Sequence, residues 1–316
     1  MIHSLTGAVE LGFMYALMAL GVYITYRILD FPDLTVDASF TTGAGIAAVM
    51  ISHGHAPWIA TLAAFGGGLA AGVCTGLLHT KGRVNGLLAG IIMMIALYSI
   101  NMRIMGKPNI SLLGESTLFS GIASHEWHDT RLAYIAILFV VAIAVKLLLD
   151  AFLHTDLGLA LRATGDNKRM IRSFGSNTDL TTILGVSLSN GLVALSGALI
   201  AQDGGSADIS MGIGMIVIGL ASVIIGEALL GPKRVFWATL AVVVGSIAYR
   251  IVYALALRAE WLHLKVTDLK LITAVIVILA LVIPTASRSA KQKQQAKRRT
   301  AELMAGIRGK GARTDA

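Results

Sequence analysis

Charged residues are scarce in this chain. Only 14% of its 316 residues are Asp, Glu, Lys or Arg, whereas 55% are hydrophobic. A soluble domain carries roughly a quarter charged residues, and one soluble core could not bury so much apolar surface. The composition therefore excludes an ordinary soluble protein and predicts that lipid covers much of the surface. The 34 glycines also favour a membrane protein, because small residues let helices pack closely in a bilayer.

Cysteine and the common catalytic signatures are also nearly absent. The one cysteine, Cys74, excludes an intrachain disulfide and a cysteine-based zinc site, and we expect it to be a small buried hydrophobic residue. The sequence has no Walker-type phosphate loop, no His-Glu-x-x-His and no Gly-x-Ser-x-Gly. We therefore expect no catalytic residue, no metal site and no cofactor in this chain. Any ATP hydrolysis on which this protein depends is expected on another subunit.

Aromatic residues are few, at 6%, although the formal charge is +8. Many basic residues lie in the C-terminal tail, residues 287–316, which contains no aromatic residue. Nucleic-acid binding typically combines basic and aromatic residues on one face. We therefore expect no nucleic-acid partner and interpret the tail as a cytoplasmic segment beside anionic lipid.

Long hydrophobic segments dominate the rest of the sequence. A spanning helix needs about 20 apolar residues. The candidate spans are Thr6–Tyr26, Trp58–Leu78, Gly86–Met105, Leu132–Leu153, Leu180–Ala201, Met211–Leu230, Val235–Leu257 and Leu269–Ile283. A ninth segment, Ala38–Ser52, is too short to cross alone and follows a polar, proline-containing stretch, so we expect a broken second span. The sequence predicts an all-α, polytopic transmembrane helix bundle of about nine segments.

The positions of Lys and Arg predict the orientation of these segments. If the basic tail is cytoplasmic, alternation also places Lys81, Arg83, the basic cluster at 162–172 and Arg234 in the cytoplasm, and leaves fewer basic residues outside. An odd number of segments then puts the N-terminus outside. We expect a multi-pass protein of the plasma membrane with a cytoplasmic C-terminus.

The chain divides at a long cytoplasmic loop, residues 154–178. The halves, 1–153 and 179–286, hold five and four segments. Because the first half has an odd number of segments, the second half crosses the membrane in the opposite direction. This arrangement predicts an inverted repeat. We therefore assign a transmembrane domain to residues 1–286 and a basic tail to residues 287–316.

Three glycines of the second candidate span, Gly68, Gly72 and Gly76, are spaced four residues apart. They share one helix face, where a neighbouring helix can cross closely. We expect packing inside one subunit, with dimerisation as the alternative.

Polar residues interrupt the apolar pattern at residues 27–43. Irregular polar backbone at membrane depth is tolerated only where protein buries it or water lines it. Two interpretations remain open: a broken helix that lines a translocation path, and a cytoplasmic turn before a capped helix. The candidate path residues, including two polar residues of later spans, are Asp33, Thr35, Asp37, Ser39, Thr42, Asn101 and Arg250.

Charged residues inside membrane spans are expected to have an interaction partner or to face a cavity. An isolated charge at the bilayer centre costs several kcal/mol. Arg250 is expected to face a cavity or partner, or to extend toward the outer face. Glu227 is expected near the cytoplasmic end of its span, beside Lys233 or Arg234.

The loop that joins the halves has the signals of two short helices. Thr155 or Asp156 can cap the first, which Gly165 would end, and Asp166 or Asn167 can cap a second that stops at Gly175. The pair is expected either to dock in a groove of a soluble partner or to lie on the membrane surface.

The same loop carries a family resemblance. The pattern Thr155-x-x-Gly158-x-x-x-Arg162-Ala163-x-Gly165-x-Asn167 resembles the cytoplasmic coupling segment of ABC importer permeases of the branched-chain amino acid and ribose type. Asp33–Asp37 is similar to a stretch of that family, but has Asp37 where the sugar branch has glycine. Arg103–Ile110 and Ile224–Leu229 resemble the sub-branch of aromatic amino acid permeases.

The resemblance covers residues 5 to 285 and implies a set of partners. They are a second copy of the chain, ATP-binding-cassette ATPase subunits that bind ATP at the cytoplasmic face, and an extracytoplasmic solute-binding protein, all with membrane lipid around them. The coupling residues it implies are Thr155, Gly158, Arg162, Ala163, Gly165, Asp166, Asn167, Arg169 and Gly175. Arg162 is expected at the ATPase contact or as a brace of the loop.

We therefore predict the non-catalytic permease subunit of an ATP-binding-cassette importer, which forms the path for a small solute, an amino acid or a related compound. The alternative is a self-sufficient ion-coupled secondary transporter or channel. That protein would use Asp33, Asp37 and Arg250 as coupling groups and need no ATPase.

Overall fold

The computed structural model describes residues 2–120, 128–231 and 234–257, together with residues 274, 275 and 278. The described residues form ten α-helices and two short strands. The helices are α1 Ile2–Tyr23, which continues as a π-helical turn Ile24–Ile28, α2 Thr35–Ser52, α3 Pro57–Thr80, α4 Gly86–Met105, α5 His128–Leu153, α6 Asp156–Asp166, α7 Lys168–Ser173, α8 Thr178–Asp203, α9 Met215–Leu230 and α10 Val235–Leu257. The strands are β1 Asn109–Ser111 and β2 Ser206–Asp208.

Six helices of the described chain are long and apolar enough to cross a membrane: α1 with its π-helical turn, α3, α4, α5, α8 and α10. The polytopic all-α bundle is therefore confirmed. The predicted span Leu269–Ile283 lies almost wholly outside the described residues, as does the tail 287–316. The inverted repeat stays a prediction.

Two of the predicted segments have different bounds in the structure. The second segment is an 18-residue helix that begins at Thr35, so the break lies earlier than expected, between Leu29 and Leu34. The segment predicted over Met211–Leu230 becomes helical only at Met215, after turns that include Gly214 with a φ of +87°. Glycine adopts this left-handed conformation readily, and a residue in it cannot continue an α-helix. The resulting helix α9 has only 16 residues.

Helix α8 lies at the centre of the bundle and packs against α1, α2 and α3. The glycine face of α3 makes one of these contacts. A Cβ at Gly68 would lie 2.4 Å from the carbonyl oxygen of Asn190, and a Cβ at Gly72 would lie 2.5 Å from the Cα of Ser187. The expected packing inside one subunit is confirmed. Cys74, on the same helix, is exposed, so the prediction that it is buried was wrong.

A two-stranded ribbon joins the two halves at one end of the bundle. Strands β1 and β2 pair antiparallel, with Ile110 opposite Ala207. The helices α6 and α7 lie at the other end, where α6 packs on α5, α8 and the π-helical turn. We call the ribbon end the outer face and the α6–α7 end the inner face, after the predicted orientation.

Candidate translocation path and coupling surface

A cavity of about 520 Å³ lies between α2, α4 and the segment that precedes α9. Its lining residues are Asp37, Ala38, Thr41, Met94, Ile95, Tyr98, Ser99, Asn101, Ile209 and Ile213. Pockets of this size typically bind small molecules. On the α4 edge, Ile95 is 63% exposed and Tyr98 is 52% exposed, so the described residues leave this edge uncovered.

Asp37 joins two helices at this cavity. Its carboxylate accepts hydrogen bonds from the backbone N–H groups of Gly214, at 2.9 Å, and Ile216, at 2.7 Å. Nearby, the hydroxyl of Thr41 accepts a bond from the N–H of Gly212, at 3.1 Å. Asp37 of α2 thus caps the start of α9, a task that usually falls to a residue of the same helix.

This contact shows that α9 begins inside the bundle. Asp37 lies near the inner start of α2, roughly 22 Å along the helix from Ser52 at its other end. The segment from β2 to Gly214 therefore descends from the outer face beside α2 before α9 starts. The sequence predicted one broken segment, and the structure contains a second break before α9 whose polar groups face Asp37.

Other predicted path residues form a buried network behind the cavity. The carboxylate of Asp33 accepts bonds from the N–H of Thr35, at 2.9 Å, and from the amide of Asn190, at 2.7 Å. The hydroxyl of Ser39 donates to the amide oxygen of Asn190, at 2.7 Å, and the Thr35 hydroxyl lies 2.9 Å from that of Thr75. Asp33, Thr35 and Ser39 are at most 2% exposed. These three residues join α2 to α3 and α8 and do not line the cavity.

Asn101 lines the cavity and is held by α2. Its amide oxygen accepts a bond from the hydroxyl of Thr42, at 2.8 Å, and its amide nitrogen donates to the carbonyl of Ala38, at 3.2 Å. The other polar residues on this wall of α4, Tyr98 and Ser99, were not among the predicted path residues. The signal was available, because Tyr98, Ser99 and Asn101 are a polar group in an otherwise apolar span.

Arg250 lies apart from this cavity. Its guanidinium carbon is 3.5 Å from the centre of the Tyr15 ring and 5.7 Å from that of Tyr253. The residue is 9% exposed, and its Nε has no hydrogen-bond partner. Cation–π contact stabilises a desolvated guanidinium by about 2 kcal/mol. The structure therefore gives Arg250 an aromatic partner inside the protein, and a place in the path stays a prediction.

The inner face carries the two predicted short helices. The Thr155 hydroxyl accepts a bond from the N–H of Gly158, at 3.3 Å, and the Asn167 side chain accepts one from the N–H of Met170, at 3.0 Å. Gly175 follows the second helix with a φ of +83°. Gly165 does not end the first helix as predicted, because α6 continues to Asp166.

Gly165 instead provides a close contact with α1. A Cβ at this position would lie 1.7 Å from the carbonyl oxygen of Ile28. Two turns earlier, a Cβ at Gly158 would lie 2.2 Å from the carbonyl oxygen of Phe152. Small residues at these positions therefore let α6 lie directly on the inner ends of α1 and α5.

The two faces of this helix pair differ. Arg162 has a buried Nε without a hydrogen-bond partner. Ala163 is half-buried, whereas Asp166, Asn167 and Arg169 are exposed. The outward surface also carries apolar side chains, with these exposed fractions: Leu157 52%, Leu159 48%, Met170 48% and Phe174 79%. The Nε of Arg162 is thus buried, and the described residues leave these four apolar side chains, which we call the inner patch, uncovered.

An ion pair connects α1 to α9 beside this contact. The Nε of Arg27, in the π-helical turn, lies 2.9 Å from a carboxylate oxygen of Glu227. The Arg27 side chain is 61% exposed and that of Glu227 is 23% exposed. Glu227 lies at the inner end of its helix as predicted, but its partner comes from the first helix.

A second ion pair is buried between α5 and α10. The Lys146 ammonium lies 2.5 Å from a carboxylate oxygen of Asp150 and 3.2 Å from the centre of the Phe236 ring. The hydroxyl of Thr239 donates to the other carboxylate oxygen, at 2.7 Å. This pair was not predicted from the sequence, although the spacing of four residues puts both charges on one helix face.

Comparison with known proteins gives consistent matches. Residues 4–283 match the family described as branched-chain amino acid transport system / permease component. The chain is 45% identical over 263 residues to the tyrosine transport system permease protein of Clostridioides difficile (strain R20291), covering 83% of this chain and 85% of that protein. It is 37% identical over 195 residues to the uncharacterized protein RP368 of Rickettsia prowazekii (strain Madrid E), covering 61% and 66%.

A solved structure supports the fold. PsaBC from Streptococcus pneumoniae in complex with Fab is similar with a TM-score of 0.51 and 13% sequence identity, over 92% of this chain and 94% of that chain. At this identity the similarity concerns the arrangement of helices alone.

Proposed function

The chain belongs to the family of permease components of branched-chain amino acid transport systems, and on that premise we propose that it carries an aromatic amino acid. It is a membrane permease subunit of an ATP-binding-cassette importer. The substrate proposal depends on one observation, the 45% identity to a permease that is described as a tyrosine transporter. Such identity over most of both chains supports a related solute.

The cavity at Asp37 is the proposed path. It contacts two helices that each begin beside an irregular segment, α2 after Leu29–Leu34 and α9 after the turn at Gly214. Irregular backbone of this kind is typical of sites in transporters. The uncovered α4 edge supports pairing with a second copy of the chain, which would close the path from the other side.

The inner patch on α6 and α7 is the proposed docking site for the ATPase subunits. Short helices with an exposed apolar face can dock into a groove of a partner, and this patch combines Leu157, Leu159, Met170 and Phe174 with the basic Arg169. At the opposite face, the β-ribbon region is the proposed position of the solute-binding protein.

The contacts around α1 offer a route for coupling. Movement of α6 would act on Ile28 through the close contact at Gly165. Arg27 lies in the same π-helical turn as Ile28, so the movement would reach α9 through the Arg27–Glu227 ion pair. The far end of α9 is attached to Asp37 at the cavity. In this proposal the described residues form the path and transmit a movement, and ATP is hydrolysed on the ATPase subunits.

A self-sufficient ion-coupled carrier is less well supported. It would need Asp33, Asp37 and Arg250 to act along one path. Of the three, Asp37 lines the cavity, whereas Asp33 is 2% exposed and bound to Thr35 and Asn190, and Arg250 stacks on Tyr15.

Reconstituted transport tests this proposal. The permease is placed in proteoliposomes with its ATPase and solute-binding protein, and uptake of labelled tyrosine, phenylalanine, leucine and ribose is measured with and without ATP. We expect ATP-dependent uptake of the aromatic amino acids. Preferred uptake of leucine or ribose would overturn the substrate proposal, and uptake by this chain alone would overturn the coupling to an ATPase.

A further inference from the structure

We propose that the Asp37 carboxylate receives the ammonium group of the transported amino acid. This inference rests on the proposed function, because it takes the 520 Å³ cavity as part of the path. Asp37 is the charged residue among the described residues that line the cavity, and none of those residues is basic. In a cavity with apolar walls, one carboxylate favours a cationic group over an anionic one.

The local structure keeps this carboxylate ready to bind. The N–H groups of Gly214 and Ile216 each donate to a different oxygen of Asp37 and fix its position at the cavity. Because the carboxylate is half-buried, a cationic ligand group beside it would stabilise its ionised form. The start of α9 adds the partial positive charge of a helix N-terminus. An ionised carboxylate has about four acceptor positions, and the backbone N–H groups at the start of α9 do not occupy all of them.

The rest of the lining fits the remainder of an aromatic amino acid. The hydroxyls of Tyr98 and Ser99 can donate to the carboxylate of the solute. Apolar side chains from α4 and from the segment before α9 can contact its ring. These residues are Met94, Ile95, Ile209 and Ile213.

Ligand binding to the purified permease–ATPase complex, without the solute-binding protein, tests the inference. The probes are L-phenylalanine, phenethylamine, which lacks the carboxylate, and 3-phenylpropionate, which lacks the ammonium group. Binding is measured as a ligand-dependent shift of the thermal unfolding midpoint over a concentration series. We expect phenylalanine and phenethylamine to bind, and 3-phenylpropionate to bind at least about tenfold more weakly, because a hydrogen bond to a charged group is lost.

The matched variants are Asp37→Asn and Glu115→Gln. Asparagine keeps an oxygen for the start of α9 but removes the charge, so both ammonium ligands should bind at least about tenfold more weakly. Glu115 is an exposed residue after the ribbon strand, and its variant should bind like the wild type. Equal affinity of Asp37→Asn and wild type for phenylalanine would overturn the inference.

If Asp37→Asn does not fold, binding of the three ligands to the wild-type protein still tests the inference. Tight binding of 3-phenylpropionate, or no binding of a phenylalanine that the complete system transports, overturns the inference. If uptake identifies another amino acid, the proposed substrate is wrong, and the test is repeated with that amino acid, its amine and its deaminated acid. A transported solute without an ammonium group would overturn both the proposed substrate and the proposed role of Asp37.

Discussion

Gly165 of α6 lies so close to Ile28 that a Cβ on the glycine would sit 1.7 Å from the isoleucine carbonyl oxygen. Ile28 is the last residue of the π-helical turn that ends the first span. Turns of this kind are uncommon and frequently mark functional sites. The contact therefore ties the proposed ATPase-docking surface to the helix that also carries Arg27.

Gly165→Ala should separate α6 from α1. A methyl group at this position cannot fit without backbone movement, and overpacking of this kind costs about 1 to 3 kcal/mol. We expect a lower unfolding midpoint and reduced ATP-dependent uptake. The control is Gly66→Ala in α3, where a Cβ meets no atom within 4 Å and alanine favours the helix. Equal behaviour of the two variants would contradict the close contact.

Charge reversal at Arg27 and Glu227 should lower ATP-dependent uptake while it changes the stability of the protein little. Because Arg27 is largely exposed, the pair contributes only about 0.2 to 1 kcal/mol. Arg27→Glu and Glu227→Arg should therefore each change stability little, but lower ATP-dependent uptake several-fold by placing like charges together. The double exchange should restore uptake. If each single variant transports normally, the pair does not transmit movement.

The helix pair of the inner face could be predicted because its signals are local. Thr155 and Asn167 lie three residues before the N–H groups that they cap, and this spacing is visible in the sequence. The role of Gly165 was predicted wrongly, since its requirement for a small side chain comes from Ile28, far away in the chain.

The start of α9 could not be predicted for a similar reason. The segment from Met211 is almost uniformly apolar, so hydropathy continues across the turn at Gly214. The group that fixes the helix start is Asp37, 177 residues before Gly214. A cap provided by another helix leaves no pattern in the neighbouring residues, whereas the polar break before α2 was evident from its own residues.

Cysteine labelling can test the orientation of the two faces. Leu113, which is 84% exposed, follows the ribbon strand β1, and Phe174, which is 79% exposed, lies at the α7 end. In a Cys74→Ala background, Leu113→Cys should react with a membrane-impermeant maleimide in whole cells. In cells that lack the ATPase subunits, Phe174→Cys should react only after the membrane is opened.

A buried position serves as the control for this labelling. Ala207→Cys lies in the ribbon but is 0% exposed, so it should stay unlabelled until the protein is denatured. Reaction of the Leu113 and Phe174 variants from the same side would disprove the alternation on which the predicted topology depends.

Among the ion pairs described above, the buried pair of Lys146 and Asp150 should contribute most to stability. Both residues are at most 5% exposed, and removal of one partner leaves the other charge without compensation, at a cost of about 3 to 5 kcal/mol. Asp150→Ala and Lys146→Met should each lower the unfolding midpoint strongly. The double variant Lys146→Met with Asp150→Leu should be much closer to wild type, because it leaves no unpaired charge.

Two further variants distinguish this pair from an ordinary surface contact. Thr239→Val removes the hydroxyl that donates to the Asp150 carboxylate and should cost about 1.5 to 3 kcal/mol. Asp179→Ala breaks the exposed pair with Arg172 and should cost less than about 1 kcal/mol. Thermal unfolding in detergent measures all of them. If Asp150→Ala is no worse than Asp179→Ala, water reaches the Lys146 ammonium, and the interface between α5 and α10 is not closed at this depth.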